Sequence, residues 1–202
     1  EKEGFQTVLL TNHGFLYWPK PDTLLKLDSI GVLPPNMVRI PSHNTPIDIA
    51  GVERYGGKRV GEFLADRFEV TSKEYKQFID GGGYTNKSYW KCPIYIDGKE
   101  ISWESAMNRF VDKTGKTGPA NWEVGTFPDG QEDYPVTGIS WYEASAYAAF
   151  MGKRLPTVYH WSVMAETARA MNIIPLSNFN GKQTVPVGSL EGMSSFGIYD
   201  IA

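Results

Sequence analysis

Cysteine is the scarcest chemistry-bearing residue in this 202-residue chain: Cys92 stands alone. One thiol excludes an internal disulfide and leaves the redox compartment open in either direction. Histidine is nearly as rare. His13, His43 and His160 are scattered, without the spacing that lets two imidazoles and a carboxylate converge on a metal. No apolar run approaches the roughly 18 to 20 residues that cross a bilayer, and the opening EKEGFQTVLL has neither a basic stretch nor a cleavage site. Direct membrane insertion is not expected. Clustered positive charge is also missing. The net charge is −3, and GGKRV is the strongest basic run, so a surface that tracks phosphates is not expected and nucleic acid is a poor partner. Repeats and low-complexity segments are absent.

What is present is core-forming material, 41% hydrophobic and 13% aromatic, enough to bury one sizeable core and inconsistent with disorder. The organisation changes near residue 36. Upstream, GFQTVLLTNHGFLYWP and DTLLKLDSIGVLPP read as short strands broken by Gly, Asn and Pro. Pro34-Pro35, with fixed φ and no backbone donors, suits a linker. Residues 1–35 are therefore expected to be the end of a small upstream β-module. Beyond it, MVRIP predicts a strand, SHNTPIDIAGVERYGG a loop, and VGEFLADRFEV a strand pair.

Four short helices are expected, over 71–80, 102–112, 140–151 and 157–169. Thr71 with Glu74, and Ser140 with Glu143, are capping-box pairs. Thr157 is placed to cap the fourth helix. Tyr75, Phe78 and Ile79 share one face before the glycines at 81–83 stop the first helix; because they close a helix rather than open one, they form no phosphate loop. In the third helix Trp141, Ala144, Tyr147 and Ala148 suggest a close-packing face, and Gly152 falls where a C-cap needs positive φ. Residues 113–138 are rich in Gly, Pro and Asp yet carry Trp122, Phe127 and Tyr134, which predicts an ordered loop pinned by its rings.

The remaining eye-catching residues read as structural. Glu143 is expected to be a cap and Glu166 a solvated helix residue. Asp129, Glu132 and Asp133 suit a polar turn, and Arg154 an anchor for nearby carbonyls. His160 suits a hydrogen-bonded rim. Tyr84, Tyr89, Trp90, Trp122 and Phe127 are core or loop-pinning rings, some of which could line a recognition groove.

Three blocks in order, DRFEVTSKEYKQFI, YPVTGISWYEASAYAAFMGKRLPTVYHW and VPVGSLEGMSSFGIYDIA, resemble the formylglycine-generating enzyme family, the sulfatase-modifying factors. The family pattern runs from VTxxxYxxF through PVxxVSWxxAxAYxxWxGxRLPTEAEW to PVGxxxxNxxGLYDMxGNVWEW, and the resemblance spans residues 36–202. It implies an α+β, C-type-lectin-like fold with little regular secondary structure, preceded here by the small β-module. On this reading 36–202 is the family domain without its C-terminal part, because the chain ends just before the GNVWEW element. The aromatic insert before YPVTG, and LPTVYHW in place of LPTEAEW, resemble modules attached to bacterial serine/threonine kinase-like proteins. That implies partners among other domains of the same polypeptide and a protein or peptide ligand. The compartment stays open: extracytoplasmic if such a protein is membrane-anchored, cytoplasmic otherwise.

The family's enzymes use a C-terminal cysteine pair that binds copper and activates oxygen to oxidise a substrate cysteine to an aldehyde. A chain with only Cys92 cannot supply that pair, and no catalytic or cofactor-binding residue is assigned. The expected function is a non-catalytic binding or sensing module. The alternative is an oxidase domain whose catalytic residues lie beyond Ala202, with copper as cofactor. The resemblance also implies structural calcium held by the Asn178 side chain and the Phe179 carbonyl. The Asp that completes such a site has no counterpart, since residues 180–189 contain no Asp or Glu; a plain turn at Asn178 is the competing reading.

Overall fold

Val38 and Ile40 point inward from a four-residue strand while Met37 and Arg39 stay half-buried, an alternation that follows from the period of two in extended chain. In the computed structural model, which describes residues 3–5, 27–45, 56–166 and 173–201, this strand is β1, Met37–Ile40. It pairs antiparallel with β4, Phe63–Asp66, setting Met37 opposite Asp66 and Ile40 opposite Phe63. A second pair joins β2, His43–Thr45, to β3, Lys58–Val60. The 42–57 stretch read as loop therefore contains a strand. Its three residues are polar and show no alternation; the backbone pairing with β3 makes it a strand, with the Ser42 hydroxyl donating to the Val60 carbonyl alongside.

The chain divides into two compact units, Glu1–Glu69 with Pro156–Gln183 and Gly188–Ala202, and Val70–Leu155 with Thr184–Val187. The first unit holds β1 to β4 and a helix here called α4, Val158–Ala165. Its core is Val38, Ile40, Val60, Val163, Met164 and Ile198. Thr157 caps α4 through the His160 N–H as expected. The helix stops at Ala165, short of the predicted residue 169, because Glu166 takes a left-handed conformation (φ 48°). Of the expected upstream strands, the described residues show only the Phe5–Ser29 bridge, and residues 30–35 run as turns and irregular chain rather than strand; residues 6–26 lie outside the described residues.

The second unit is built on α1, Ser72–Asp80, and α3, Trp141–Phe150. Both capping boxes are formed: Thr71 and Ser140 accept from the N–H groups of Glu74 and Glu143, whose carboxylates accept from the cap N–H groups. Tyr75 and Phe78 are fully buried on α1, and Ile79 packs beside them. Between the two helices run a hairpin, β5 (Ile94–Ile96) and β6 (Lys99–Ile101), and the short α2 (Trp103–Met107). Asp97 and Gly98 both have positive φ, the two-residue turn that Asp-Gly favours. That pair is a hairpin signal the strand reading of the sequence did not use. Among the described residues, three two-stranded sheets and short helices make the fold α+β.

The second helix ends five residues earlier than its apolar spacing predicts. Past Met107 the backbone turns away, with Val111 bridging Thr117 and the Phe110 carbonyl accepting from Gly118. The Asp112 carboxylate organises this region. It accepts from the N–H groups of Thr114, Lys116 and Gly125 and from the Thr114 hydroxyl, at 2.6 to 3.0 Å. Burial pushes its carboxyl up, but those four donors outweigh burial and hold it down at about 2. The 113–138 loop is ordered as expected: Trp122 is buried, 5.4 Å from Phe127, with Tyr134 half-buried. The polar clamp beneath it was not legible in ring spacing.

Candidate functional site

α3 carries the signature corner of the sequence, and a buried polar chain fixes its orientation. Tyr84 donates to Glu143 Oε1 at 2.6 Å, and Glu143 Oε2 accepts from the Ser140 N–H at 2.7 Å. Since the Tyr84 proton is committed to Glu143, the Tyr75 hydroxyl, 3.0 Å away, is the donor to Tyr84. Burial pushes the Glu143 carboxyl up, and the Tyr84 and Ser140 donors oppose it. Burial also pushes both tyrosine hydroxyls up. The chain ends within the protein core, so Glu143 is a cap and a core acceptor.

With Glu143, Ala146 and Tyr147 inward, the helix turns Trp141 outward, where it is 57% exposed. Tyr147 and Ala148 are buried as expected and Ala144 is half-buried, but Trp141 is corrected: spacings of three and four residues counted from Glu143 reach Ala146 and Tyr147, and Trp141 falls off that stripe. Tyr142 lies half-buried beside Trp141, their rings 5.5 Å apart. Its hydroxyl accepts from the Tyr95 N–H at 2.9 Å, fixing helix to hairpin. Tyr95 itself is 49% exposed and donates to the Glu100 carboxylate, which pushes its phenol up. Trp141 and Tyr95 thus stand on rigid elements with their rings in solvent. Large, stiff, amphipathic rings of this kind make protein contacts at low entropic cost. The alternation Ile94 in, Tyr95 out across an Asp-Gly turn was the available signal for Tyr95.

The residues singled out from the sequence lie elsewhere. Cys92 is exposed. His43 lies on β2 and His160 on α4, where His160 Nδ1 is 2.6 Å from the Thr157 hydroxyl and its ring meets Phe63 edge-on; His13 lies outside the described residues. No three His, Cys, Asp or Glu side chains gather as metal ligands among the described residues. Glu166 is not a solvated helix residue: it ends α4 and its carboxylate accepts from the Ser195 N–H. Arg154 is exposed, and among the described residues it anchors no carbonyl. Asp129, Glu132 and Asp133 are exposed, with the Glu132 and Asp133 carbonyls accepting from Lys73 and Val187.

Asn178 opens a short 3-10 turn, Asn178–Asn180, and its Nδ2 donates to the Gln183 carbonyl at 2.8 Å. Its Oδ1 lies so close to Gly181 that a Cβ there would meet it at 1.8 Å. Phe179 is 62% exposed. The side-chain oxygen and the Phe179 carbonyl are two hard donors, against the about six to eight oxygens that calcium takes. No helix among the described residues is long and apolar enough to cross a membrane.

Residues 34–202 match the family model described as the sulfatase-modifying factor enzyme 1-like domain. Among curated proteins, the chain is 37% identical over 148 residues to the serine/threonine-protein kinase Pkn1 of Chlamydia trachomatis, covering 69% of this chain and 21% of that protein. It is 34% identical over 110 residues to the hercynine oxygenase of Mycobacterium tuberculosis, covering 50% of this chain and 23% of that protein. It is 25% identical over 130 residues to the formylglycine-generating enzyme of Bos taurus, covering 59% and 34%. The chain thus spans a fifth to a third of the length of these relatives. Its own match over residues 34–202 places it in a family: the chain belongs to the sulfatase-modifying factor enzyme 1-like domains.

Proposed function

We propose that this domain is a non-catalytic binding or sensing module of a larger bacterial signalling protein, with a C-type-lectin-like arrangement and a protein or peptide ligand. The observation that carries the reading is the rigidly mounted aromatic pair Trp141 and Tyr95. The likeness to kinases that carry this family's domain supports it. Residues 1–35 then serve as the end of an upstream β-module in the same polypeptide. Selection of a displayed peptide library on the intact chain is expected to yield binders whose affinity falls roughly thirtyfold, about 2 kcal/mol, in Trp141→Ala. Binders indifferent to both Trp141→Ala and Tyr95→Ala would remove the aromatic pair from the reading.

A second reading is favoured by relatives named as an oxygenase and a formylglycine-generating enzyme: an oxidase domain that converts a substrate cysteine to an aldehyde. The residues here do not fit a two-thiolate copper centre, because Cys92 is alone and exposed. Incubation with copper, reductant and a Cys-x-Pro-x-Arg peptide is expected to give no aldehyde by mass spectrometry, with Cys92→Ser as the control for adventitious thiol chemistry. Aldehyde that persists in Cys92→Ser would overturn the non-catalytic reading.

Calcium at Asn178 and the Phe179 carbonyl belongs to the same proposal as a weak structural ligand, since no carboxylate joins them. Titration calorimetry is expected to show heat with calcium that Asn178→Ala abolishes. No heat in the unmodified chain would leave Asn178 as the turn former its bond to Gln183 already makes it.

A further inference from the structure

Asn180-Gly181 is the one Asn-Gly pair in the sequence, and the fold makes its glycine obligatory. Asn178 Nδ2 donates to the Gln183 carbonyl at 2.8 Å, which closes the loop between them. The same side chain turns its Oδ1 onto Gly181, where an added Cβ would lie 1.8 Å from that oxygen and 2.8 Å from Cγ. The φ of Gly181 is −78°, a value open to any residue, so space rather than backbone conformation excludes a side chain here.

The glycine that packing demands also leaves the peptide after Asn180 open to attack. A side chain at 181 would shield its own backbone nitrogen, and glycine has none. The turn Asn178–Asn180 ends at this peptide: Gly181 runs on extended (ψ 150°), and no acceptor among the described residues takes its N–H. Both residues are exposed. The Asn180 side chain makes no hydrogen bond among the described residues. Other asparagines are held by theirs: Asn86 accepts from the Ser88 N–H, Asn121 donates to Thr137 and Asn178 to Gln183. The acidic counterpart Asp80-Gly81 is also held, its Gly81 N–H donated to the Gln77 carbonyl at 2.8 Å.

We propose that Asn180 is a site of spontaneous deamidation in the native protein, with water as the only co-reactant. The Gly181 nitrogen gives its proton to solvent and attacks Asn180 Cγ. The N–Cγ bond forms and the Cγ–Nδ2 bond breaks; Nδ2 takes up a proton from solvent and leaves as ammonia, and a cyclic imide remains. Water then opens the ring. Cleavage of the new N–Cγ bond leaves aspartate, whereas cleavage of the original peptide bond routes the main chain through the side chain as isoaspartate. No electrons are exchanged, and a neutral amide becomes a carboxylate. Either product puts a negative charge into residues 180–189, which contain no Asp or Glu. The iso form also lengthens the backbone spanned by the Asn178–Gln183 bond. The site is separate from the aromatic pair and stands whatever ligand that pair takes.

The test incubates the intact chain in warm neutral buffer. Peptide mapping by mass spectrometry follows the mass gain of each asparagine as amide becomes acid, and a protein isoaspartyl methyltransferase with a labelled methyl donor counts the iso product. Asn180 is expected to convert at least tenfold faster than Asn86, Asn121 or Asn178, and no more than threefold slower than in the urea-unfolded chain. The rate should rise with pH, because the attacking nitrogen must first lose its proton. Asn180→Gln should remove the label that accumulates in step with the mass gain; Asp97-Gly98 can form the same ring but gains no mass. Conversion no faster than at the other asparagines, a native rate more than threefold below the unfolded one, or mass gain without methyl label would each overturn the assignment.

Discussion

Gly83→Ala is expected to destabilise the protein by about 3 kcal/mol, lowering the melting temperature by roughly 6 to 12 °C for a chain of this size. A Cβ at this position would lie 2.1, 2.3 and 2.4 Å from three ring carbons of Phe78. The ring cannot retreat. Phe78 is fully buried and is held by Tyr75, Tyr84, Tyr147 and Phe150, with ring centroids 5.3 to 5.8 Å away. The chain comes this close because α1 ends by folding back over its own last turn, the Gly83 N–H donating to the Phe78 carbonyl at 2.8 Å. Gly61→Ala is the control: its added Cβ meets nothing within 4 Å, and its effect should stay within about 0.5 kcal/mol. Thermal and urea unfolding measure both. Adding Phe78→Leu to Gly83→Ala should recover part of the loss by making room. A Gly83→Ala protein that melts with the unmodified chain would mean that the backbone shifts aside at little cost.

Tyr84→Phe should cost about 2 to 4 kcal/mol at neutral pH, and the loss should shrink in acid. Removing one hydroxyl strips the Glu143 carboxylate of its Tyr84 donor and leaves the Tyr75 hydroxyl without its acceptor. The pH dependence follows from Glu143. Burial raises its folded pKa above the unfolded value, so the native state holds this proton more tightly than the unfolded chain does. The group therefore weighs against folding above its folded pKa. That penalty is relieved as pH falls through the folded pKa and is gone below the unfolded value, near about 4.3. In Tyr84→Phe a donor that favours the ionised form is missing, so the folded pKa rises further and the penalty at neutral pH grows. The melting-temperature gap between the two proteins should be wider at pH 7.5 than at pH 5. Glu143→Gln, which has no proton to exchange, should flatten the dependence. A gap independent of pH would mean that the carboxylate finds another donor when Tyr84 is lost.

The helices were legible where a local rule fixes them. Thr71 with Glu74 and Ser140 with Glu143 set helix starts through bonds three residues apart, which sequence spacing encodes directly. The glycines at 81–83 set a stop for the same reason. Register on a helix was less legible. Trp141 and Glu143 sit two residues apart, so only one can face the core, and hydropathy alone favours the ring. The choice falls to the carboxylate because Tyr84, 59 residues away in the chain, supplies its donor. The helix ends at Met107 and Ala165 were misjudged in the same way, since Val111 pairs with Thr117 and Glu166 meets Ser195 through the tertiary fold.

The sequence by itself determined the family, through three blocks in order, and the single thiol that excludes a cysteine-pair copper site within these residues. It also determined the α+β class, because capping boxes, turn glycines and alternating residues are local signals. Only the tertiary structure decided which rings reach solvent and that the 112–125 loop closes on the Asp112 carboxylate. It also left Arg67 Nε buried with no acceptor among the described residues. Each of these depends on groups far apart in the chain meeting or failing to meet, and spacing along the sequence carries no record of which distant partner a side chain finds.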